Sequence, residues 1–275
     1  MARRRAQGQP DEAAPERGGG SGGREPSGGE ASGPPLILGH RGASADAPEN
    51  TLAAFHLAME QGADGVELDV WRCASGEVVV AHDEDLSRVA GSPIRVPDAA
   101  LEALRVLDVG GWKDPRFHGE RVPLLSEVLE ALPTAFVNVE LKSRSGRDLA
   151  LASAAASVIR RAGAGGRVVV SSFDWRLLAA FRLAAPEVAT GLLFDGRTAW
   201  RLRTFLGIRG LRPAAVHPDR RLATDARIAA WTSRGLEVNV WTVDDPEEAA
   251  RLARAGASAL ITNVPRAIRA ALAAR

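Results

Sequence analysis

The sequence contains a single cysteine, Cys73, among its 275 residues. An intrachain disulfide is therefore impossible, and a lone thiol, which we expect to be buried and inert, suits a reducing compartment. No apolar run approaches the roughly 18 residues of a membrane-spanning helix. The basic start, MARRRAQGQPDEAAPERGGG, also lacks the apolar stretch of a secretion signal. We therefore expect a cytoplasmic protein without stable membrane insertion.

A strong charge of either sign is also lacking. Thirty-five lysine and arginine residues face 34 acidic residues, which gives a formal net charge of +1. The first 34 residues contain five arginines and five acidic residues, so the rest of the chain is equally balanced. Composition therefore gives no reason to expect a nucleic-acid partner.

Apolar residues are scarce in residues 1–34, which consist mainly of Gly, Pro, Ser, Arg and Glu. Such a segment cannot bury enough surface to offset the entropy lost on ordering. We predict a disordered tail over 1–34, followed by one domain over 35–275. The alternating charges of the tail leave a weak contact with a partner open.

From Leu36 onward, short apolar runs alternate with helical patterns such as the one that begins at Asp245-Pro246. Strands joined by crossover helices form a wound parallel sheet, and eight of them close into a barrel. The sequence offers nine candidate strands, so one of them lies outside the ring or is no strand. The candidates 65–70 and 77–83 are too close in sequence for a helix between them. The candidate strands are 36–40, 65–70, 77–83, 135–142, 167–173, 189–194, 214–218, 237–243 and 259–262.

Residues 84–134 break this alternation. They contain several prolines and the segment GGWKDPRFHG around two short helical patterns. A connection of this length is unusual between neighbouring strands, so we predict a cap-like insertion over the strand ends.

Acidic side chains cluster at the predicted strand ends. Glu67 and Asp69 alternate with apolar residues in GVELDV and share one side of the strand, and Glu140 ends another strand. Singly, each would more often be a surface residue or half of an ion pair. Carboxylates that converge on one point repel each other unless a cation lies between them, and Mg²⁺ and Ca²⁺ favour such oxygens. The occurrence of all three acids at strand ends therefore predicts a metal site.

Two histidines, His40 and His82, also end strands. Because imidazole titrates near neutrality, such a pair can divide the roles of general acid and general base. Arg41 offers a planar donor fork for a phosphate, and Lys142 a second positive charge. This combination suits a phosphoester better than a carbonyl substrate. His56, His118 and His217 are weaker candidates, and the strand-end position of His217 leaves its role open.

The motifs HRGASADAPENT, GVELDV, VVVAHD, VNVELK and VWTV occur in this order. Together they resemble the glycerophosphodiester phosphodiesterase family, which is related to the phosphatidylinositol-specific phospholipases C. The likeness spans about residues 36–266, and the combination is far more specific than any one motif. The resemblance implies an α/β fold, a TIM-type (β/α)8 barrel with a small insertion after the third strand.

The resemblance also implies roles for nine side chains. One divalent cation, Mg²⁺, Ca²⁺ or Mn²⁺, would be held by Glu67, Asp69 and Glu140. His40 and His82 would be the acid/base pair, Arg41 and Lys142 would bind the phosphate, Trp241 would line the substrate pocket, and Glu49 would lie at the site edge or brace its loop.

Three departures from the usual family pattern concern substrate preference. WRCASGE follows ELDV in place of a threonine and an acidic turn, TNVP at 262–265 replaces the usual TD-x-P, and Asp244 stands where asparagine is common. None of them removes a proposed ligand.

The resemblance implies metal-dependent hydrolysis of a small-molecule glycerophosphodiester to glycerol 3-phosphate and an alcohol. One alternative is a lysophospholipase D or sphingomyelinase-D-like enzyme that acts on lipids, and another is a barrel that binds phosphate ligands without turnover. The alcohol, the metal used, the division of roles between the histidines and the oligomeric state stay open.

Overall fold

The computed structural model describes residues 33–142, 148–198 and 213–274. The predicted tail over 1–34 lies outside these ranges except for its last two positions, so it stays a prediction. The described strands are β1 (Leu36–His40), β2 (Gly65–Arg72), β3 (Val78–Val80), β4 (Asp85–Leu86), β5 (Ser92–Arg95), β6 (Phe136–Leu141), β7 (Val168–Ser172), β8 (Ala189–Phe194), β9 (Ala215–Pro218), β10 (Glu237–Val240) and β11 (Ala259–Thr262).

Eight strands form a closed parallel ring. Each of β1, β2 and β6 to β11 pairs in parallel with its two neighbours, and β1 closes the ring by pairing with both β2 and β11. Parallel neighbours need crossover segments, and helices provide most of those in the described ranges. The predicted TIM-type barrel is therefore confirmed.

Several of the described helices begin directly after a capping residue. They are α1 (Leu52–Glu60), α2 (Ser87–Ala90), α3 (Leu101–Arg105), α4 (Leu125–Ala131), α5 (Ala150–Arg161), α6 (Trp175–Ala184), α7 (Asp225–Thr232), α8 (Pro246–Arg254) and α9 (Pro265–Ala273). Thr51, Asp174 and Asp245 accept backbone N–H bonds at the starts of α1, α6 and α8. Within the described ranges, no helix is both long and apolar enough to cross a bilayer.

The ninth candidate strand is real but lies outside the ring. β3 pairs antiparallel with the end of β2, with Val80 opposite Val70 and Val78 opposite Arg72. Five residues separate the two strands, which is enough for a hairpin turn but not for a crossover helix. The surplus strand of the sequence pattern is therefore a hairpin extension of β2.

The connection that follows β3 has an apolar cluster of its own. Trp71 in β2 and Cys73 just after it pack there with Val79 of β3 and with Leu104 and further residues of the 84–124 segment. In contrast, α4 buries apolar residues in the main core. The boundaries of the predicted cap-like insertion, 84–134, stay a prediction.

This connection is also joined to the loop after β1. Lys113 Nζ donates to the carbonyl oxygen of Ser44 at 2.9 Å, and Arg116 Nη2 donates to that of Asp46 at 2.9 Å. The segment therefore lies beside the carboxyl end of β1.

Alternation along the strands separates the two faces of the barrel wall. In β2, Val66, Leu68 and Val70 belong to the main core, which includes apolar residues of the surrounding helices. Glu67 and Asp69 consequently point to the opposite face, toward the inside of the barrel. The same alternation in β6 places Asn138 and Glu140 inside.

We expect Gly65→Ala to destabilise the barrel where β2 approaches β6. A Cβ at Gly65 would lie 1.9 Å from the carbonyl oxygen of Phe136, so a strand would have to move. We expect a loss of about 3 kcal/mol in the free energy of unfolding, as for severe overpacking. Urea unfolding measures it. At the exposed Gly166 a Cβ meets nothing within 4 Å, so Gly166→Ala is the matched control, and equal effects of both variants would contradict the prediction.

Candidate functional site

Strand register brings the predicted acidic residues together. His40 lies opposite Glu67 across β1 and β2, and Asp69 lies opposite Glu140 across β2 and β6. Each of the three acids offers a carboxylate oxygen that lies within 4.8 Å of the other two, and all three residues are buried. This acidic triad, Glu67, Asp69 and Glu140, is the centre of the candidate site.

Two cations lie against the triad. Lys142 Nζ is 2.8 Å from Glu140 Oε1 and 3.1 Å from Asp69 Oδ1. Arg41 Nε is 3.3 Å from Asp69 Oδ2, which also accepts a hydrogen bond of 2.8 Å from Asn50 Nδ2. Asp69 is therefore the most strongly held of the three carboxylates.

The pKa values of the triad reflect this unequal support. Burial, together with the charges of Asp69 and Glu140, raises the pKa of Glu67 well above its usual range. Burial likewise raises the pKa of Glu140 to about 7. Burial acts in the same direction on Asp69, but the charges of Lys142 and Arg41 outweigh it and hold its pKa below the usual range. Two cations therefore do not fully compensate three buried acids.

The triad fits a hard divalent cation. Three carboxylates supply the oxygen ligands that Mg²⁺ and Ca²⁺ prefer, and a dication would lower the repulsion that raises the pKa values of Glu67 and Glu140. Mn²⁺ also accepts such ligands. Glu67, Asp69 and Glu140 are therefore the residues that could hold a metal here.

Two residues of the β1–α1 loop adopt left-handed backbone conformations. Arg41 has φ = 56° and Asn50 has φ = 57°, which non-glycine residues rarely adopt and which costs about 1–3 kcal/mol each. The Arg41 N–H donates to the Glu67 carbonyl oxygen at 2.9 Å and to Glu67 Oε2 at 3.1 Å. This loop directs both Arg41 and Asn50 toward Asp69.

Both predicted histidines lie at the same rim. His40 Nε2 is 3.9 Å from Glu67 Oε2, and its Nδ1 is 2.7 Å from Asn263 Oδ1. His82 Nδ1 is 2.8 Å from Asp83 Oδ1. Burial and the charge of Arg41 lower the pKa of His40 to about 4, and burial lowers the pKa of His82.

Glu49 joins the β1–α1 loop to α2. Its carboxylate accepts from Arg41 Nη1 at 2.9 Å and from both terminal nitrogens of Arg88 at 2.7 Å. Arg88 Nε also donates to Asp83 Oδ2 at 2.7 Å. These bonds support the loop-bracing interpretation of Glu49, and they connect it to the residue that holds His82.

Trp241 directly follows β10, which β11 and β1 separate from β2 in the ring. Its Nε1 donates to the His217 carbonyl oxygen at 2.8 Å, and its ring meets Phe173 edge-on at 5.6 Å between centroids. The peptide bond from Trp241 to Thr242 is cis. Trp241 lines an open groove of about 850 Å³ with residues such as Arg220.

His217, whose role the sequence left open, lies inside the barrel. Its side chain is fully buried, its Nε2 is 3.0 Å from Asn239 Nδ2, and burial lowers its pKa to about 3. A Cβ at Gly191 would lie 2.3 Å from His217 Nε2, so this glycine makes room for the ring. These contacts assign His217 to the polar interior of the barrel.

Sequence reasoning missed several partners of the predicted residues. Asp83 follows His82 directly and Asn50 belongs to the PENT motif, so both lay next to recognised residues. Asp244 and Asn263 were noticed only as departures from the family pattern, and they contact each other, with Asn263 Nδ2 2.6 Å from Asp244 Oδ2. Arg88 lies in the insertion, where no sequence signal marked it.

Comparisons with known proteins indicate the family of this chain. Residues 40–267 match the model of the glycerophosphoryl diester phosphodiesterase family. A glycerophosphodiester phosphodiesterase of Caldanaerobacter subterraneus subsp. tengcongensis is 34% identical over 234 residues, which cover 84% of this chain and 94% of the relative. A putative glycerophosphodiester phosphodiesterase of Bacillus subtilis is 31% identical and covers 83% of this chain and 94% of its own length.

Solved structures show the same similarity. A phosphodiesterase of Oleispira antarctica, solved in complex with the product sn-glycerol-3-phosphate, has a TM-score of 0.78 and 29% identity, covering 87% of this chain and 97% of its own. A putative glycerophosphoryl diester phosphodiesterase of Silicibacter pomeroyi has a TM-score of 0.80 and 26% identity, covering 90% and 96%. The predicted enzyme family is confirmed, and the chain belongs to the glycerophosphoryl diester phosphodiesterase family.

Proposed function

We propose that this protein hydrolyses water-soluble glycerophosphodiesters to glycerol 3-phosphate and an alcohol, with a divalent cation and a pair of histidines. The observation that carries this proposal is the acidic triad, whose oxygens lie within 4.8 Å of one another beside two cations and two imidazoles. The glycerol phosphate bound to the Oleispira antarctica relative supports the same substrate class.

Glu67, Asp69 and Glu140 would hold the cation. When bound, Mg²⁺, Ca²⁺ or Mn²⁺ supplies positive charge that stabilises the phosphoryl oxygens as negative charge develops on them. The triad also binds the two protein cations, so Lys142 and Arg41 lie where a phosphate could meet them. Arg41 Nη1 and Nε already contact Glu49 and Asp69, so these carboxylates orient the guanidinium that would donate to a phosphate oxygen.

The two histidines would move the protons of the reaction. One takes the proton of the attacking hydroxyl as its oxygen bonds to phosphorus, and the other gives a proton to the alcohol oxygen as its bond to phosphorus breaks. The attacking hydroxyl belongs to water or to the neighbouring glycerol carbon of the substrate, which would give a cyclic phosphate first. With water as the nucleophile, the histidines return to their starting states by proton exchange with solvent. A cyclic phosphate is opened by water in a second step. The histidine that gave its proton takes one from water as the water oxygen bonds to phosphorus, and the other histidine gives its proton to the glycerol oxygen as that oxygen's bond to phosphorus breaks.

The exposed surface of the insertion favours a water-soluble substrate over a lipid. Among its described residues, the large exposed hydrophobic side chains are Val106 and Trp112, 73% and 43% exposed. The cationic groups of Arg88 and Lys113 lie 5.9 Å from the centroid of the Trp112 ring. Two such residues in a charged setting do not form the apolar rim that docking on a lipid surface requires. Location in the cytoplasm stays a prediction.

We expect divalent cations to stabilise the protein more at about pH 8 than at about pH 6. Glu140 has a folded-state pKa of about 7, above its ordinary value, so its contribution to stability is present at low pH and is lost as the pH rises through about 7. A bound dication displaces the proton of Glu140 and compensates the charge of its carboxylate, so the stability lost above about pH 7 is regained when the metal binds. Thermal unfolding with Mg²⁺, Ca²⁺ or Mn²⁺, each against EDTA, measures the effect.

Two variants control this measurement. Asp69→Asn removes a triad carboxylate and should abolish the cation-dependent shift in Tm, whereas Asp98→Asn changes an acid 60% exposed on the insertion and should keep it. A shift that is equal at both pH values, or that survives Asp69→Asn, would contradict a metal site at the triad.

We expect His40→Ala and His82→Ala each to lower kcat by about 10²–10⁴-fold without loss of the fold, since each removes a proton-transfer group. Glu67→Ala and Asp69→Ala should abolish the metal-dependent part of the activity. Release of glycerol 3-phosphate from glycerophosphocholine and glycerophosphoethanolamine, with each metal, measures turnover, and thermal unfolding checks the fold. His56, exposed on α1, provides the matched control His56→Ala, which should retain wild-type kcat.

Two results would refute this function. Near wild-type turnover in His82→Ala would remove that residue from the acid/base pair. Binding of glycerophosphodiesters by the wild-type protein without release of glycerol 3-phosphate under any of the three metals would identify a phosphate-binding barrel without turnover.

We expect kcat/KM to be higher for glycerophosphocholine than for lysophosphatidylcholine, because the insertion offers few apolar contacts for an acyl chain. Parallel assays of choline release measure this preference below and above the micelle-forming concentration of the lysolipid. The reverse preference, with activation by micelles, would support the lysophospholipase D alternative.

A further inference from the structure

We propose that Asp244 and Asn263 form a positioning pair that fixes the ring orientation and the tautomer of His40. Asp244 lies beyond the end of β10, Asn263 follows β11, and His40 ends β1, which pairs with β11. The inference rests on the proposed function only for its effect on turnover, since the tautomer is a property of the protein itself.

Asp244 fixes the orientation of the Asn263 side chain. Asp244 Oδ1 accepts from the Asn263 N–H at 2.8 Å and from Thr262 Oγ1 at 3.0 Å, and its Oδ2 is 2.6 Å from Asn263 Nδ2. Thr262 Oγ1 itself accepts from the Val264 N–H at 3.1 Å, so its own proton is available to Asp244. A carboxylate that accepts these bonds requires the NH₂ group of Asn263, so the amide oxygen of Asn263 points the other way.

This amide oxygen determines which nitrogen of His40 carries the proton. Asn263 Oδ1 is 2.7 Å from His40 Nδ1 and also accepts from Ser44 Oγ at 2.7 Å. Because an amide oxygen only accepts, His40 Nδ1 must be the donor. The lone pair of the neutral ring is then on Nε2, the atom 3.9 Å from Glu67 Oε2. His40 therefore presents a proton acceptor toward the triad.

The chemical type of the partner distinguishes His40 from His82. His40 Nδ1 faces a neutral amide, and the carboxylate of Asp244 is one residue further from the ring. His82 Nδ1 faces the carboxylate of Asp83 directly. Asp244 and Asn263 thus orient His40 without placing a second negative charge against a ring that already lies near Glu67.

The tautomer can be read directly from the ring nitrogens. In the full chain labelled with [¹⁵N]histidine, long-range ¹H–¹⁵N correlation spectra should show the Nδ1–H form of His40 at neutral pH. Asn263→Leu keeps a similar volume but removes the acceptor, so we expect the His40 signal to shift toward the Nε2–H form. The exposed-site variant Asp225→Asn should leave the His40 signal unchanged, since Asp225 pairs with Arg251 away from this network.

A double variant that exchanges the two side chains tests whether the Nδ1–H form of His40 can be restored. In Asp244→Asn/Asn263→Asp the carboxylate and the amide change places, so an amide NH₂ can still bind a carboxylate and His40 Nδ1–H still has an acceptor. We expect this double variant to retain the Nδ1–H form and most of the wild-type kcat. Asn263→Leu should lose on the order of 10- to 100-fold in kcat with a smaller change in KM, as expected when a catalytic imidazole loses its orienting partner.

Several outcomes would overturn the inference. An Nε2–H form of His40 in the wild-type protein, or an unchanged Nδ1–H form in Asn263→Leu, would show that the pair does not set the tautomer. If Asn263→Leu does not fold, Asp244→Asn provides the same test, because it releases the Asn263 amide to rotate and should reduce the Nδ1–H population. If the wild-type protein turns over no diester, the proposed function is refuted, and the spectra alone then decide whether the pair sets the tautomer of His40.

Discussion

The repulsion among three buried carboxylates is the constraint on which the site depends. Oxygens of Glu67, Asp69 and Glu140 lie within 4.8 Å of one another, a separation at which two unit charges repel by about 3 kcal/mol at an effective dielectric constant near 20. Lys142 and Arg41 compensate part of this repulsion and leave Glu67 and Glu140 with raised pKa values. The two cations therefore compensate the three buried acids only in part.

The barrel holds the three carboxylates close together because the outer face of its wall is apolar and buried against the helices. Glu67 and Asp69 alternate with Val66 and Leu68, which are fully buried in the main core, so neither acid can turn away without moving β2. The same register that places Asp69 opposite Glu140 fixes the separation of their carboxylates. Charge repulsion and hydrophobic burial therefore act on one strand, and burial determines the geometry.

Alternation and motif order were sufficient to predict the barrel and the convergence of Glu67, Asp69 and Glu140, because these depend on neighbours in the sheet. The start of α8 was predictable from local capping by Asp245. The short distance between 65–70 and 77–83 excluded a crossover helix, but it did not show whether the second segment was a strand outside the ring or no strand at all. The contact of Arg88 was also not predictable. Arg88 binds Glu49, 39 residues away, and lies in an insertion whose sequence has no periodic pattern that would place it. Asn263 was visible only as an unusual residue, because its partners, His40 and Asp244, are brought to it by closure of the ring between β1 and β11.

The two histidines are therefore not equivalent, although both end strands. His82 is held by Asp83, its neighbour in sequence, within a network that continues through Arg88 to Glu49 and so depends on the insertion. His40 is held by residues that follow β10 and β11, so its orientation depends on the barrel itself. A change in the insertion would therefore disturb the contacts of His82 first, whereas the contacts of His40 depend on closure of the ring between β1 and β11. The two histidines therefore belong to separate hydrogen-bond networks, one joined to the insertion and the other to the segments that follow β10 and β11.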